Sequence, residues 1–195
     1  MDDIAALLRR PGPGSHRTAL EIDGETVDTL EDLPPLPNGL LFVGLNPSLV
    51  SVDAGHYHQG NLGRRFWQRL VTAHVLPEGT RIETADDALV SAGHGITDLL
   101  KRPSARDEAT DAQLRAGVGP LWQRIAIWRP GAVVFVYRRA AEAAAGRRLD
   151  ERWGRLGGVA LAGRPAFVMP GPYAPAAEVA DGLNLLRNLL SALPR

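Results

Sequence analysis

Three short apolar runs bounded by turn residues punctuate the chain: Leu40-Leu41-Phe42-Val43-Gly44, Ala132-Val133-Val134-Phe135-Val136 and Ala166-Phe167-Val168-Met169. They are continuous rather than alternating, the pattern of strands buried on both faces in a parallel sheet. Val159-Ala160-Leu161-Ala162 stands close enough before the third run to pair with it as a hairpin. Between the runs, apolar positions recur at helical spacing: Phe66, Trp67, Leu70, Val71 and His74, and then Leu121, Trp122, Ile125, Ile127 and Trp128 behind Pro120 at a helix start. Two more helices are predicted over Ala140 to Ala145 and Ala176 to Leu193. Strands alternating with helices predict an α/β domain on a mostly parallel sheet, with its ligand site at the carboxyl ends of the strands.

Ahead of the first run this pattern breaks up. Pro11-Gly12-Pro13-Gly14 and Pro34-Pro35-Leu36-Pro37-Asn38-Gly39 frame a segment that reads as an extended arm, so the predicted organisation is an acidic arm over 1–38 and a single domain over 39–195. The 195 residues, 45% hydrophobic and 23% charged, suffice for one globular domain with a sizeable core. The absence of cysteine excludes disulfides, thiolate nucleophiles and cysteine-held metal clusters. Net charge is zero, but residues 1–32 hold eight acids against three arginines, leaving −5 there and +5 on the rest. That basic body can hold a polyanion in a salt-sensitive way. No stretch nears the roughly 20 apolar residues of a membrane span. Met1-Asp2-Asp3 carries the wrong charge for a signal peptide, so the expectation is a cytoplasmic protein with no membrane partner.

Candidate chemistry lies just past the first apolar run, in Gly44-Leu45-Asn46-Pro47-Ser48. Pro47 forces Asn46 into an extended backbone, which holds its amide at a turn facing the strand-end crevice. An amide there can orient a water or bind a polar ligand edge; the alternative is an Asn-Pro turn without chemistry. Gly55-His56-Tyr57-His58-Gln59-Gly60 is a glycine-flanked loop with three flat rings, suited to stacking on a nucleobase or else an ordinary surface loop. His56 and His58 lack a third metal ligand at a convincing spacing, so no metal is predicted. Arg64-Arg65-Phe66-Trp67 opens a helix with its arginines exposed and its aromatics inward. A phosphate-binding G-x-x-x-x-G-K-[ST] loop, a G-x-G-x-x-G turn and a G-x-S-x-G elbow are all missing after the predicted strands.

Together these segments resemble the mismatch-specific uracil/thymine DNA glycosylases, family 2 of the uracil-DNA glycosylase superfamily. Gly44-Leu45-Asn46-Pro47-Ser48 is similar to that family's first motif, G-I-N-P-G. Gly55-His56-Tyr57-His58 and Arg64-Arg65-Phe66-Trp67 are similar to its G-[FH]-x-[FY] loop and N-R-F-W helix start. Gly95-Ile96-Thr97-Asp98-Leu99-Leu100-Lys101-Arg102-Pro103 resembles its G-[VI]-T-x-L-x-x-R-P segment, and Met169-Pro170-Gly171-Pro172-Tyr173-Ala174-Pro175 stands where the second motif belongs. The likeness covers about residues 39 to 190. Ser48 replaces a glycine, and the second motif has lost its serines.

The resemblance implies a three-layer αβα sandwich on a short parallel sheet. It implies a monofunctional glycosylase of base excision repair, hydrolysing the N-glycosidic bond of uracil or another damaged or mispaired base flipped from DNA, with neither cofactor nor metal. Asn46 is the implied catalytic residue, orienting water. Leu45 and Ser48 accompany it in substrate binding, Ser48 through a hydrogen bond to the pyrimidine edge. Register favours His58 as the stacking ring and chemistry favours Tyr57. Arg64, Arg65 and Arg138 are expected on phosphates, and the loop of Gly171, Tyr173, Ala174 and Pro175 on the duplex, with Tyr173 as a wedge. The expected setting is a monomer in the bacterial cytoplasm, associated with the nucleoid. The alternative is a non-catalytic protein on the same fold that binds a nucleobase or damaged DNA.

Overall fold

The computed structural model describes residues 7–105, 108–150 and 152–193. The Met1-Asp2-Asp3 start lies outside the described residues. A five-stranded sheet of order β4-β3-β5-β7-β6 is built from β3 (Leu40–Gly44), β4 (Gly95–Asp98), β5 (Ala132–Phe135), β6 (Gly154–Leu161) and β7 (Arg164–Val168). The first four strands in that order are parallel, and β6 closes one edge antiparallel to β7, as the predicted hairpin requires.

Alternate residues of each strand feed two separate cores. Leu40, Phe42, Ile96, Ala132 and Val134 face α2 (Gly60–Thr72), α3 (Ala85–Ser91) and α6 (Ala176–Ala192). Leu41, Val43, Val133, Phe135, Ala166 and Val168 face α4 (Asp111–Trp128) and α5 (Arg138–Ala145). The result is an α/β three-layer sandwich, as expected. Continuous apolar strands arise because both faces of each are covered.

From β3 the chain goes to β4 on one side and later to β5 on the other. The strand order therefore reverses at β3, and a crevice opens outside its carboxyl end at this switch point. Asn46 sits there, two residues beyond β3.

Four local readings are corrected. The N-terminal segment is not an extended arm: β1 (Arg17–Ile22) and β2 (Glu25–Leu30) form an antiparallel hairpin. Its turn, Asp23-Gly24, has φ of 55° and 80°, the geometry that Asp-Gly favours in two-residue hairpins. Leu30 and Leu33 are fully buried, and Leu33 bridges to Ile96, so this segment joins the body of the domain. Pro120 lies inside α4 rather than at its start; the helix begins at Thr110, whose side chain and that of Gln113 form a reciprocal cap. His74 lies past the end of α2, with φ of 59°. Two short helices, α1 (Leu49–Ala54) and α3, and the four-residue strand β4 are additional to the predicted elements. Among the described residues no helix is long and apolar enough to cross a membrane.

Candidate active site

Beyond β3 and β4 the chain continues as a zipped pair. Leu99 and Leu100 donate backbone N–H bonds to Gly44 and Leu45 at 3.1 and 2.9 Å, and Ser104 donates to the Pro47 carbonyl at 3.1 Å. The two sequence segments that looked most distinctive thus form one rigid lip. Asn46 is held on it by its amide nitrogen, which donates to Ser104 Oγ at 2.7 Å, the Arg102 carbonyl at 3.3 Å and the Pro47 carbonyl at 3.4 Å. Two carbonyl oxygens facing the same atom leave only the NH₂ on that side. Oδ1 is therefore turned away, and it has no donor among the described residues: a fixed acceptor suited to orienting a water.

Leu45 is buried in the core on the α4 side, so its backbone rather than its side chain belongs to the lip. Ser48 caps α1: its hydroxyl accepts from Ser51 N at 3.2 Å and donates to Ser51 Oγ at 2.8 Å. That commitment leaves the hydroxyl little freedom to reach a pyrimidine edge.

The structure separates the two competing rings. Tyr57 is 1% exposed, donating its hydroxyl to the Glu31 carbonyl at 2.8 Å. As a core residue it cannot stack on a base without unfolding the loop. His58, in the left-handed region at φ 51°, turns the other way and rests on Phe66, ring centroids 4.3 Å apart, with Tyr137 at 6.3 Å. Such close approach of the loop to α2 requires Gly63, where a Cβ would stand 1.7 Å from the His58 carbonyl oxygen. Burial lowers the His58 pKa to about 4, so the imidazole is neutral at physiological pH. Its Nε2 is buried without a partner among the described residues. A neutral ring backed by Phe66 offers a flat face suited to stacking.

Behind the lip lies a buried polar network that sequence reasoning missed. Asp32 receives Lys101 Nζ at 2.5 Å and Arg124 at 3.1 Å, together with the Thr97 hydroxyl. Burial pushes Asp32 up, but Lys101 and Arg124 outweigh it and hold the group at about 2. Asp98, at the end of β4, is 3% exposed and has no hydrogen-bond donor on its carboxyl group among the described residues. Burial raises its pKa to about 7, with Lys101 and Arg124 pulling down and Asp32 pushing up. A hypothetical Cβ on Gly44 would lie 2.0 Å from Asp98 Oδ1 and 3.8 Å from His58 Cε1, which puts the carboxyl group and the imidazole at the same strand end. The one available signal was the acid beside Thr97 within the mainly apolar Gly95–Leu100 run.

The residues expected on DNA lie on α2, on α5 and in the turn before α6. Arg64 and Arg65 are exposed on α2, Arg64 paired with Glu83 at 3.4 Å. Arg138 opens α5, pairs with Glu142 at 3.0 Å and reaches the Leu149 carbonyl. Gly171 and Ala174 close a turn through a 3.0 Å backbone bond, and Pro175 precedes the first residue of α6. Tyr173 projects from that turn, 79% exposed, over a cleft of about 450 Å³ that Tyr137, Arg138, Trp153 and Pro172 also line. Arg69, not anticipated from sequence, clamps this loop to α2 through the Pro170 and Gly171 carbonyls at 2.8 and 3.2 Å.

A family model described as the Uracil DNA glycosylase superfamily matches residues 31–186, a span that includes the strand-end lip, the ring loop and the turn bearing Tyr173. Its first residue falls at the end of the hairpin. No curated protein gives a significant match to the chain.

Proposed function

The chain belongs to the uracil-DNA glycosylase superfamily, and from that premise we propose that it hydrolyses the N-glycosidic bond of uracil, or of another damaged or mispaired pyrimidine, flipped out of DNA into the crevice beyond β3. The observation that carries this reading is Asn46: an amide locked by two carbonyls and a serine, presenting Oδ1 at the switch point. The water it orients forms a C–O bond to the sugar carbon as the C–N bond breaks and the base departs as an anion, and the water's surplus proton passes to solvent or to the released base. An amide positions that water but does not take its proton, so the step relies on the stability of the leaving base.

In this reading the flipped base stacks on the neutral ring of His58. Asp98 influences the same step. Below pH about 7 its carboxyl group is neutral and places no negative charge near the departing base. Arg64, Arg65 and Arg138 meet phosphates, and Tyr173 fills the vacated stack. The assignment to the mismatch-specific branch rests on the Asn46 motif and the Gly95–Pro103 segment. Monofunctional action is supported by Lys101, the only lysine of the chain, whose amine is tied to Asp32 at 2.5 Å instead of facing the sugar as a Schiff-base nucleophile. A monomer working without a metal at the reacting bond, in a bacterial cytoplasm beside the nucleoid, completes the proposal.

One observation favours the alternative of a non-catalytic binder of nucleobases or damaged DNA: Pro172 and Pro175 have no N–H to offer a phosphate where the second motif carries serines. Labelled oligonucleotides containing G:U, G:T, A:U or hypoxanthine, and single-stranded uracil, incubated with the protein and then cleaved with alkali, decide between the two. Abasic-site formation in any of them supports the glycosylase; binding without base release across the panel supports the binder and overturns the proposal.

A further inference from the structure

His56 and His58 taken alone offered no third ligand, but the fold supplies a different set. His16 from the segment before β1, His56 from the ring loop, and Asp86 and Asp87 from the first turn of α3 converge until one ligand atom from each lies within 4.8 Å of the others. His16 and Asp87, 71 residues apart in sequence, approach to 2.9 Å through Nε2 and Oδ1. His56 Nδ1 and Asp86 Oδ1 approach to 2.8 Å. We propose that these four side chains form a binding site for one divalent transition-metal ion, with zinc the best match, which clips the N-terminal segment and the ring loop to α3.

The composition of the cluster is the first argument. His16 is 1% exposed and Asp86 0%, and Asp87 is mostly buried. Two carboxylates and two imidazoles are thus withdrawn from water together. Glu31 adds a third carboxylate, 3.4 Å from His16 Nδ1, and its arginine partner Arg9 contacts Glu31 rather than the cluster. Buried ionised carboxylates are tolerated only when paired or when they coordinate a metal. A divalent cation held by two imidazole nitrogens and two carboxylate oxygens cancels the charge of its ligands and matches the N/O donor set that zinc accepts.

The outer contacts are the second argument. In metal sites the non-ligating histidine nitrogen commonly donates to a carboxylate, which fixes the tautomer and the ring. His16 has this arrangement, with Glu31 behind Nδ1 and the cluster in front of Nε2. Asp86 is oriented through its other oxygen by the Tyr57 backbone N–H at 2.8 Å, and Asp87 by the Gly14 N–H at 3.2 Å. Tetrahedral zinc with ligand bonds of about 2.0–2.1 Å separates its ligand atoms by roughly 3.3 Å. The two short contacts would open slightly, and the widest separation, no more than 4.8 Å, would close by at most about 1.5 Å. Through Tyr57 the ion would hold the backbone one residue from His58, so the site would set from behind the ring that the proposed function places on the base, while remaining separate from Asn46.

The test uses the full chain with any affinity tag removed. Zn²⁺ is titrated in competition with a chromophoric chelator, Mg²⁺ serves as the control cation, and Co²⁺ provides a spectroscopic probe. The expected result is one equivalent of Zn²⁺, no competition by Mg²⁺, and the visible bands of four-coordinate Co²⁺ in the unmodified protein. His16→Gln and Asp87→Asn should each weaken Zn²⁺ by tenfold or more, and Glu31→Gln by about 10–100-fold as expected of an outer-shell partner. His74→Gln, at an exposed histidine outside the cluster, should change nothing. Binding below stoichiometry, a six-coordinate Co²⁺ spectrum, or Zn²⁺ affinity unchanged in both His16→Gln and Asp87→Asn would overturn the site and leave a cluster closed by its own hydrogen bonds. The Co²⁺ measurement needs no variant, so it decides the matter even if His16→Gln fails to fold.

Discussion

Gly44 and Asp98 stand directly opposite each other at the ends of the two parallel strands β3 and β4, and the space where a side chain on Gly44 would begin is filled by the Asp98 carboxyl group, 2.0 Å from an ideal Cβ. Glycine at 44 is what lets a carboxyl group lie against the strand end beside His58. Gly44→Ala must push Asp98 out or distort the strand pair. We expect a loss of about 1–3 kcal/mol in denaturant unfolding, with a larger proportional loss of base release than Asn46-independent DNA affinity.

Burial raises Asp98 from 3.8 to about 7. Between those values the folded protein holds a proton that the unfolded chain has released, so stability falls as pH rises through this window. Asp98→Asn should flatten that slope and exceed the wild-type stability above pH 7, by on the order of 2 kcal/mol. The base-release rate of the wild type should decline above pH about 7 as the carboxylate forms, and Asp98→Asn should lack that decline. Urea titrations and single-turnover assays at pH 5 and pH 8 measure both; an identical stability difference at the two pH values would remove Asp98 from the account.

Asn46→Ala should keep the fold, because the Ser104 and Leu100 backbone bonds that zip the lip do not involve its side chain. Base release should fall about a hundredfold or more, the usual loss for an oriented catalytic contact. Single-turnover kinetics next to equilibrium DNA binding separate the two effects. A variant retaining a tenth of the rate would show that the water is held by something else.

His58 and Tyr57 should differ sharply. His58→Ala removes the ring proposed to stack on the base, and a contact worth about 1–3 kcal/mol per base predicts a loss of roughly tenfold to a hundredfold in activity. Tyr57→Phe loses the hydroxyl bond to Glu31 and should cost about 1 kcal/mol of stability with activity nearly unchanged. The reverse ranking in paired melting and cleavage assays would return Tyr57 to the base pocket.

Tyr173 is exposed on a turn braced by Arg69. If its ring replaces the flipped nucleotide in the stack, Tyr173→Ala should slow release from duplex uracil several-fold and leave single-stranded uracil unaffected, since no vacancy needs filling there. Equal losses on both substrates would place the ring in the pocket or in folding.

Sequence alone determined the layers and the switch-point residue. Leu40–Gly44, Ala132–Phe135 and the 166–168 run are legible because a strand covered on both faces must be apolar at every position. Asn46 is legible because proline at 47 restricts the residue before it. Strand β4 escaped because four residues with a threonine and an aspartate carry too little pattern, and the hairpin β1–β2 because its alternation is polar on both sides, although Asp23-Gly24 marked its turn.

Only tertiary structure could separate Tyr57 from His58, neighbours in the chain whose rings part because His58 adopts a left-handed backbone that Gly63 makes room for. The same holds for the pairing of Asp32 with Lys101 and Arg124, the position of Asp98 against Gly44, and the meeting of His16 and His56 with Asp86 and Asp87. These groups lie tens of residues apart. Their chemistry depends on burial and on distances of a few ångströms, quantities that periodicity and local spacing do not encode and that appear only when the helices and strands pack.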